Sequence, residues 1–497
     1  MDRRILTRNA IVSVGQVLVT SVVLFVLYHY LIKTVGIERL GVWSIVMAAA
    51  NALKLGELGL SGSATKFVAK YQALKQPLDA SIVIQTTALS LIAIIAVFLV
   101  LLYPLLSWGL GYVFPVTSLD EARKLLPLSL GYLWLLTLSS VFQAGLDGCL
   151  RTDLRGLLVI GGTLLLLGMA ILLVPRFGLV GMVYAQLAQV FITAVVGWLL
   201  LRTIIKQLPI VPYQWRYDRF REMLGYGANL QLVNICIMLT EPVTKMFLGK
   251  FGGLSAAGYY EMAQRLVSQS RAVLLAANQI LVPVIARLHE TDAKRIQDLY
   301  RANYRVLFYL ALPVYTGIMA LSPVISELWI GHYANIFVLF LMILSGAAFF
   351  HIMSGPAYFM NLGTGHLKSN VVAHVFMSFS NLGLGFLLGR EYGGVGVVAG
   401  ASIALVAGGS IVAIAYHARH HIAWSELVPR QSFALITACT VGMTTCLAAY
   451  YGRSSNGAEG WQIWVIGVLM ALFFLPAMWF HPQRSALTSM IKKVVVP

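Results

Sequence analysis

The length of the apolar blocks limits this chain more than any other feature. Ile82 to Leu106 and Leu154 to Val174 are two of many such runs. Each holds about 20 residues or more, enough for a helix rising 1.5 Å per residue to cross a hydrocarbon layer of roughly 30 Å. Inside that layer no water is available to the backbone, so only a helix or a closed barrel satisfies its N–H and C=O groups. Barrel strands alternate apolar and polar residues, and these blocks do not. Composition agrees: 59% of residues are hydrophobic and 11% are charged, against roughly 25% charged in soluble domains. The expected fold is therefore all-α, a polytopic membrane protein with no soluble domain.

Charge, Gly and Pro divide the chain into about fourteen spans: 10–32, 40–62, 82–106, 125–146, 154–174, 178–201, 223–247, 256–283, 304–325, 335–360, 369–388, 394–416, 432–451 and 461–480. The formal net charge is +17. In a soluble chain that points to nucleic acid; here it fits short loops that set orientation and meet anionic headgroups. With the N-terminus in the cytoplasm, about 24 Lys and Arg residues fall in cytoplasmic segments and about 9 on the other side. Both termini are then cytoplasmic. The opening MDRRILTRNA resembles a signal peptide, but the apolar run after it continues to about Leu31 without a clear small-residue cleavage site. It reads as a retained first helix.

An internal repeat organises the spans. Phe67-Val-Ala-Lys70 matches Val284-Ile-Ala-Arg287, and Gly148, Leu150 and Arg151 match Gly365, Leu367 and Lys368, both at an offset of about 217 residues. Gly178-Leu-Val-Gly-Met-Val183 matches Gly393-Gly-Val-Gly-Val-Val398 at about 215. An even number of spans per copy makes the repeat parallel, with its axis along the membrane normal. The expected domains are a six-helix lobe over 1–205, a cytoplasmic linker over 206–222, a second six-helix lobe over 223–420 and two further helices with a tail over 421–497. Such lobes flank a central cavity and suit alternating access. The linker carries Pro209, Pro212 and the basic run Arg216–Arg221, and reads as holding an interfacial amphipathic helix that meets membrane lipids.

No enzyme motif is present: the chain lacks a Walker A loop, HExxH and GxSxG. No metal or cofactor is implied. Cys149, Cys236, Cys439 and Cys446 form no CxxC pair and read as small apolar fillers. His351 and His374 read as satisfied interhelical donors. Charges inside apolar spans say more, since each costs a few kcal/mol at the bilayer centre. Lys54 and Glu57 fall in the second span, Glu241 beside Pro242 in the seventh, and Glu261, Arg265 and Arg271 in the eighth. Lys54 and Arg271 are repeat equivalents, so two cations face each other across the pseudo-twofold axis, an arrangement that holds a phosphate or diphosphate through charge-assisted hydrogen bonds. Glu261 and Arg265 are four apart and Lys54 and Glu57 three apart, so each pair has an internal salt bridge as its alternative to a ligand role. Arg271 has no acidic residue at those spacings. Glu241 is either a coupling-ion site or a counter-ion to Arg271, and Pro242 is a hinge candidate. Lys33 and Lys250 are equivalents that snorkel at the outer interface.

Gly36-Ile-Glu-Arg-Leu-Gly-Val-Trp43, Gly56-Glu-Leu-Gly-Leu60 and Ala64 to Lys70 resemble the start of bacterial polysaccharide-export flippases of the multidrug/oligosaccharidyl-lipid/polysaccharide (MOP) flippase superfamily. The Gly-x-x-Gly segments at Gly178 and Gly393 look like its sixth and twelfth helices. The resemblance implies transport without catalysis: a polyprenyl-diphosphate-linked oligosaccharide carried across the bacterial cytoplasmic (inner) membrane for O-antigen, capsule or exopolysaccharide assembly. A polysaccharide polymerase and glycosyltransferases would be partners. It also implies that cations on the second and eighth helices line the cavity, which falls here on Lys54 and Arg271, with Arg265 beside them. A drug or cation antiporter of the same superfamily, with acidic cavity residues, and a non-transporting scaffold are the rival readings.

Reporter fusions after Lys75, Gln207 and Arg295 are expected to report cytoplasm, and those after Ser118 and Gly331 the outside. A cytoplasmic signal after Ser118 breaks the span count.

Overall fold

Apolar runs of this length become helices with little between them. The computed structural model describes residues 3–291, 293–423, 426–427, 432–452 and 461–485. Among these are α1 (Arg3–Val35), α2 (Ile37–Ala50), α3 (Leu60–Ala73), α4 (Pro77–Val113), α5 (Val116–Gly148), α6 (Thr152–Ile204), α7 (Tyr217–Phe247), α8 (Gly253–Thr291), α9 (Ala293–Ile330), α10 (Asn335–Ile352), α11 (Gly355–Thr364), α12 (Lys368–His420), α13 (Ser432–Tyr451) and α14 (Trp461–Trp479). No strand occurs among the described residues. Among the described residues eight helical stretches are long and apolar enough to cross a membrane, one of them running through α10 and α11. Large apolar side chains stand exposed along the helices, such as Val100 and Leu101 on α4 and Leu472 on α14. In water that surface would be a defect; against lipid it is the expected outer face. The chain is thus an all-α polytopic membrane protein.

Two helices exceed the membrane by far. α6 and α12 each run for 53 residues, about 80 Å if straight. Each instead doubles back at a single glycine. Gly178 has φ 57° and ψ −135°, and Gly393 has φ 60° and ψ −144°, a backbone state that L side chains rarely adopt. The halves then run antiparallel. A Cβ on Gly162 would lie 2.6 Å from Thr193 Cγ2, and one on Gly197 would lie 3.3 Å from Leu158. Across the second turn a Cβ on Gly400 would lie 2.8 Å from the Leu384 carbonyl carbon. This explains the repeated Gly-x-x-Gly. Its first glycine turns the chain; its second, Gly181 or Gly396, lies where a Cβ would overlap the carbonyl oxygen of Leu173 or Leu388. Small residues there let the helix backbones touch.

The repeat extends further than sequence matching reveals. Gly36 opens α2 with φ 86°, and Gly253 opens α8 with φ 81°; they are 217 residues apart. The first turns of these two helices cross reciprocally. A Cβ on Gly41 would overlap the Leu254 carbonyl oxygen, and one on Gly258 the Ile37 carbonyl oxygen. Ser255 Oγ donates to Glu38 Oε1 at 3.4 Å between the same turns. At the 217-residue offset Gly41 and Leu254 correspond to Gly258 and Ile37, so these two contacts are the same contact repeated, and Ser255 meets its own equivalent Glu38, as a twofold axis requires.

By backbone contact the chain divides into Met1–Gly258 and Tyr259–Pro497. In the first unit α5 packs on α2, α3, α4 and α6, while α1 lies along α6 and α7 lies against α2, α3 and α4. In the second, α9 meets α10, α11, α13 and α14, and α12 meets α10 and α11. α13 and α14 join α9 through Ala320, Val324, Cys446, Tyr450 and Ile466, and Tyr450 donates to Glu327 Oε1 at 2.7 Å. This division follows packing; α7 opens the second repeat in sequence and packs with the first unit. Cys149, Cys439 and Cys446 are free. The side chains of Cys236, Val284 and Arg287 lie outside the described residues.

Three local features depart from the sequence reading. The second span is not one helix: a 3₁₀ turn over Asn51–Glu57, followed by left-handed Leu58 (φ 51°) and Gly59 (φ 70°), separates α2 from α3. The tenth is split between α10 and α11 near Ser354. The linker has no helix of its own. Residues 205–216 form a non-helical strap, because Pro209 and Pro212 lack donors and push their preceding residues out of the helical region. The basic run Arg216–Arg221 opens α7 instead.

Gly396→Ala is expected to lower the stability of the detergent-purified protein by about 1–3 kcal/mol through overpacking. Gly383→Ala in the same helix, where a Cβ meets nothing within 4 Å, is expected to be neutral or mildly stabilising. Thermal unfolding followed by size-exclusion fluorescence compares them.

Candidate functional site

A charge inside an apolar helix needs either a partner or a ligand. The described residues divide on that line. Glu261, 3% exposed, accepts from Arg265 Nη2 at 2.8 Å, the four-residue pairing expected on α8. Glu241 is held by Lys245 Nζ at 2.6 Å, one turn along α7. The lysine is the buried partner, and its carboxylate is half-exposed. Burying a cation demands a close carboxylate, and Glu241 supplies it. Pro242 sits within a continuous α7, and a π turn over Leu248–Gly252 follows the helix.

Lys54 and Glu57 are half-buried in the 3₁₀ turn between α2 and α3. That turn advances three residues per revolution, yet the two side chains form no ion pair. Neither has an ion-pair partner among the described residues. Gly56 between them packs onto α4, where a Cβ would lie 2.9 Å from Ile95 Cδ1.

Arg271 is half-buried on α8 and also has no ion-pair partner among the described residues. Its surroundings come from four other helices of the second unit. Tyr315 on α9, Tyr358 on α11, His351 on α10 and His374 on α12 lie within its electrostatic reach. Tyr315 is 1% exposed. Its hydroxyl and His351 Nδ1 are buried without a hydrogen-bond partner. The Tyr358 ring stands edge-on to His374 at 5.8 Å. Gly409 closes one wall: a Cβ there would lie 3.1 Å from Ser354 Oγ and 3.2 Å from His351 Cδ2. Orphaned buried polar atoms are costly. Beside a guanidinium with no ion-pair partner among the described residues, they bring together groups able to hydrogen-bond an anion. Sequence reasoning found Arg271 and missed the other four. Tyr315 and Tyr358 carry no sequence signal; His351 and His374 read from the sequence as satisfied interhelical donors, and the buried Nδ1 of His351, which has no partner, corrects that for His351.

The basic run at the start of α7 serves the first unit's cohesion. Arg219 Nη2 donates to Asp79 at 2.8 Å and Nη1 to Glu222 at 3.4 Å; it also donates to the Tyr71 hydroxyl and lies over that ring at 4.9 Å. It therefore ties α7 to α3 and α4.

Residues 41–333, more than half of the chain, match the family model described as "Polysaccharide biosynthesis protein". This chain belongs to that family of membrane proteins. Its fold is similar to that of the lipid II flippase MurJ in an inward closed conformation: TM-score 0.73, 14% identity, 98% of this chain and 99% of the other covered. It is similar to an inward-facing multidrug resistance MATE family transporter of the MOP superfamily, with TM-score 0.68, 15% identity, and 80% and 94% covered. A MOP superfamily transporter from Pyrococcus furiosus gives TM-score 0.59, 14% identity, and 84% and 94% covered. The comparison with curated proteins by sequence returns no match. The fold is thus the one shared by MOP-superfamily flippases and transporters.

Arg265→Gln is expected to destabilise the protein by roughly 1–3 kcal/mol by leaving the Glu261 carboxylate short of a cation. Adding Glu261→Gln is expected to return part of that loss, a coupling that a double-mutant cycle of thermal unfolding measures.

Proposed function

We propose that this chain is a flippase that moves polyprenyl-diphosphate-linked oligosaccharide repeat units across the bacterial cytoplasmic membrane. Alternating access carries the headgroup outward for O-antigen, capsule or exopolysaccharide assembly. The observation that carries the reading is Arg271, a half-buried arginine with no carboxylate partner among the described residues, beside the unpartnered Tyr315 hydroxyl and His351 Nδ1. A guanidinium offers a fork that matches phosphate oxygens. Neutral hydroxyl and imidazole donors complete the shell of a diphosphate without adding fixed charge. Lys54, the repeat equivalent, is the substrate-binding cation proposed for the first unit. Arg265, already engaged by Glu261, is a secondary phosphate ligand.

Membership of a polysaccharide biosynthesis family supports a glycan-bearing substrate, and the likeness to a lipid II flippase supports a lipid-linked one. Glycosyltransferases that build the repeat unit and a polymerase that consumes it are the partners this chemistry calls for. The termini are assigned to the cytoplasm by the Lys and Arg bias. The antiporter reading has weaker support: Glu241 and Glu261 are each engaged by a cation on their own helix. Glu57, half-buried without an ion pair among the described residues, is the carboxylate proposed for a coupling ion, and Pro242 remains the proposed hinge.

In an export-deficient strain, Arg271→Ala is expected to cut glycan export roughly ten- to hundred-fold, the weight of one charge-assisted contact, at unchanged protein level. Arg271→Lys should recover part of it, and Lys54→Arg should be tolerated better than Lys54→Ala. Recovery of export in the double variant Arg271→Ala with Glu241→Ala returns Arg271 to a structural role.

A further inference from the structure

The strap over 205–216 builds a cleft that the transport reading does not use. Its path is set by the polar side chains near the start of α4. Gln85 Oε1 accepts from the N–H groups of Tyr213 and Gln214 at 3.1 and 3.2 Å. Thr86 Oγ1 accepts from the Arg216 N–H at 3.3 Å, and Ser81 Oγ donates to the Gln207 carbonyl at 3.2 Å. Inward-facing Ile205 and Leu208 are buried, while Ile210, Val211 and Tyr213 are 72%, 66% and 71% exposed. The strap ends at Trp215, whose indole N–H donates to Ser90 Oγ at 2.9 Å.

Below Trp215 lies a cleft of about 360 Å³ lined by Leu89, Ser90, Ala93, Ile94, Trp215 and Phe220. The one hydroxyl among these residues is already taken by the indole, so the cleft offers only apolar surface. Its position along α4 matters. Residues Ala80–Ala88 are buried on every side. From Leu89 onward one face opens, and Ala93, Val97, Val100 and Leu101 are exposed along it. α4 has 37 residues, about 55 Å, so nearly half of its length lies outside a hydrocarbon layer of about 30 Å. The cleft thus sits where protein-covered helix gives way to lipid-facing helix, with a tryptophan at the level such residues favour.

The charges beside it are unbalanced. Arg219 is consumed by Asp79 and Glu222, but Arg216 and Arg221 are exposed and have no ion-pair partner among the described residues. They flank Trp215 and Phe220 in the chain. We propose that this cleft is a binding site for an anionic membrane phospholipid, one acyl chain lying against Trp215, Phe220 and the open face of α4, the phosphate held by Arg216 and Arg221. Charge complementarity selects that occupant: a zwitterionic lipid fills the apolar cleft equally well but gains less from two free arginines. Trp215 and the strap are fixed by hydrogen bonds to α4, so the site is preformed.

The test uses the full chain in phosphatidylcholine nanodiscs doped with brominated phosphatidylglycerol or brominated phosphatidylcholine. The signal of Trp215 is the difference between wild type and Trp215→Phe, checked for matching thermal unfolding. Brominated phosphatidylglycerol is expected to quench that component at roughly ten-fold lower mole fraction than brominated phosphatidylcholine, the effect of about two surface charges. Arg216→Gln with Arg221→Gln should abolish the preference while leaving quenching by both lipids, and Arg216→Lys with Arg221→Lys should retain it. Equal quenching by the two lipids in the wild type overturns the proposal, as does a Trp215 component that neither lipid quenches.

Discussion

Every element of this protein answers to one constraint: a backbone surrounded by hydrocarbon must satisfy its own hydrogen bonds. Among the described residues few are therefore in irregular structure, and turns become the critical points. A single glycine with positive φ reverses the direction of α6, and another reverses α12. Because no loop separates the two halves, their backbones meet at once, and the next glycine in each motif must leave room for a carbonyl oxygen. The same economy governs the crossing of α2 and α8, where Gly41 and Gly258 admit each other's neighbours. Close packing of small residues does in lipid what burial of large ones does in water.

Against that background the ionisable groups sort themselves. A charge that merely had to be tolerated has found a partner one helical turn away, as Glu241 and Glu261 have. Arg219 has found several at the edge of the bundle. Arg271 and Lys54 stand outside this pattern. Among the described residues they have no carboxylate partner, and around Arg271 a tyrosine hydroxyl and an imidazole nitrogen are also left unsatisfied. A core built for stability alone would not concentrate three such groups in one place.

Periodicity and length made the spans legible in the sequence, because hydrocarbon thickness sets a residue count that no packing detail overrides. The paired Gly-x-x-Gly segments were legible as a repeat, although their mechanical role needed the backbone angles. Harder to see was the interruption after Ala50. Residues 51–57 contain no proline to mark a break, which depends on Leu58 and Gly59 adopting left-handed angles. The strap was misread for another reason: the basic run Arg216–Arg221 suggested a helix within the linker, but it opens α7, and two prolines within four residues keep 205–216 non-helical. The recess around Arg271 was legible only in part. Its residues come from five helices spread over more than a hundred positions, and only the arginine carries a charge that marks it as out of place in an apolar run.

The one-residue turns also bear on how the protein is made. Two spans joined by a conventional loop can enter the bilayer one after the other, the first waiting in place for the second. Residues 152–177 and 179–204 have no such freedom, since a single glycine separates them. Until the second half is synthesised, the end of the first has nothing against which to fold back, and its small-residue face at Gly162 lacks the helix that covers it. The pair must settle as a unit, and the same holds for 368–392 and 394–420. Each repeat therefore closes with a helical hairpin whose insertion is all-or-none, so a ribosome that stops within it leaves an unfinished hairpin rather than a shorter stable protein.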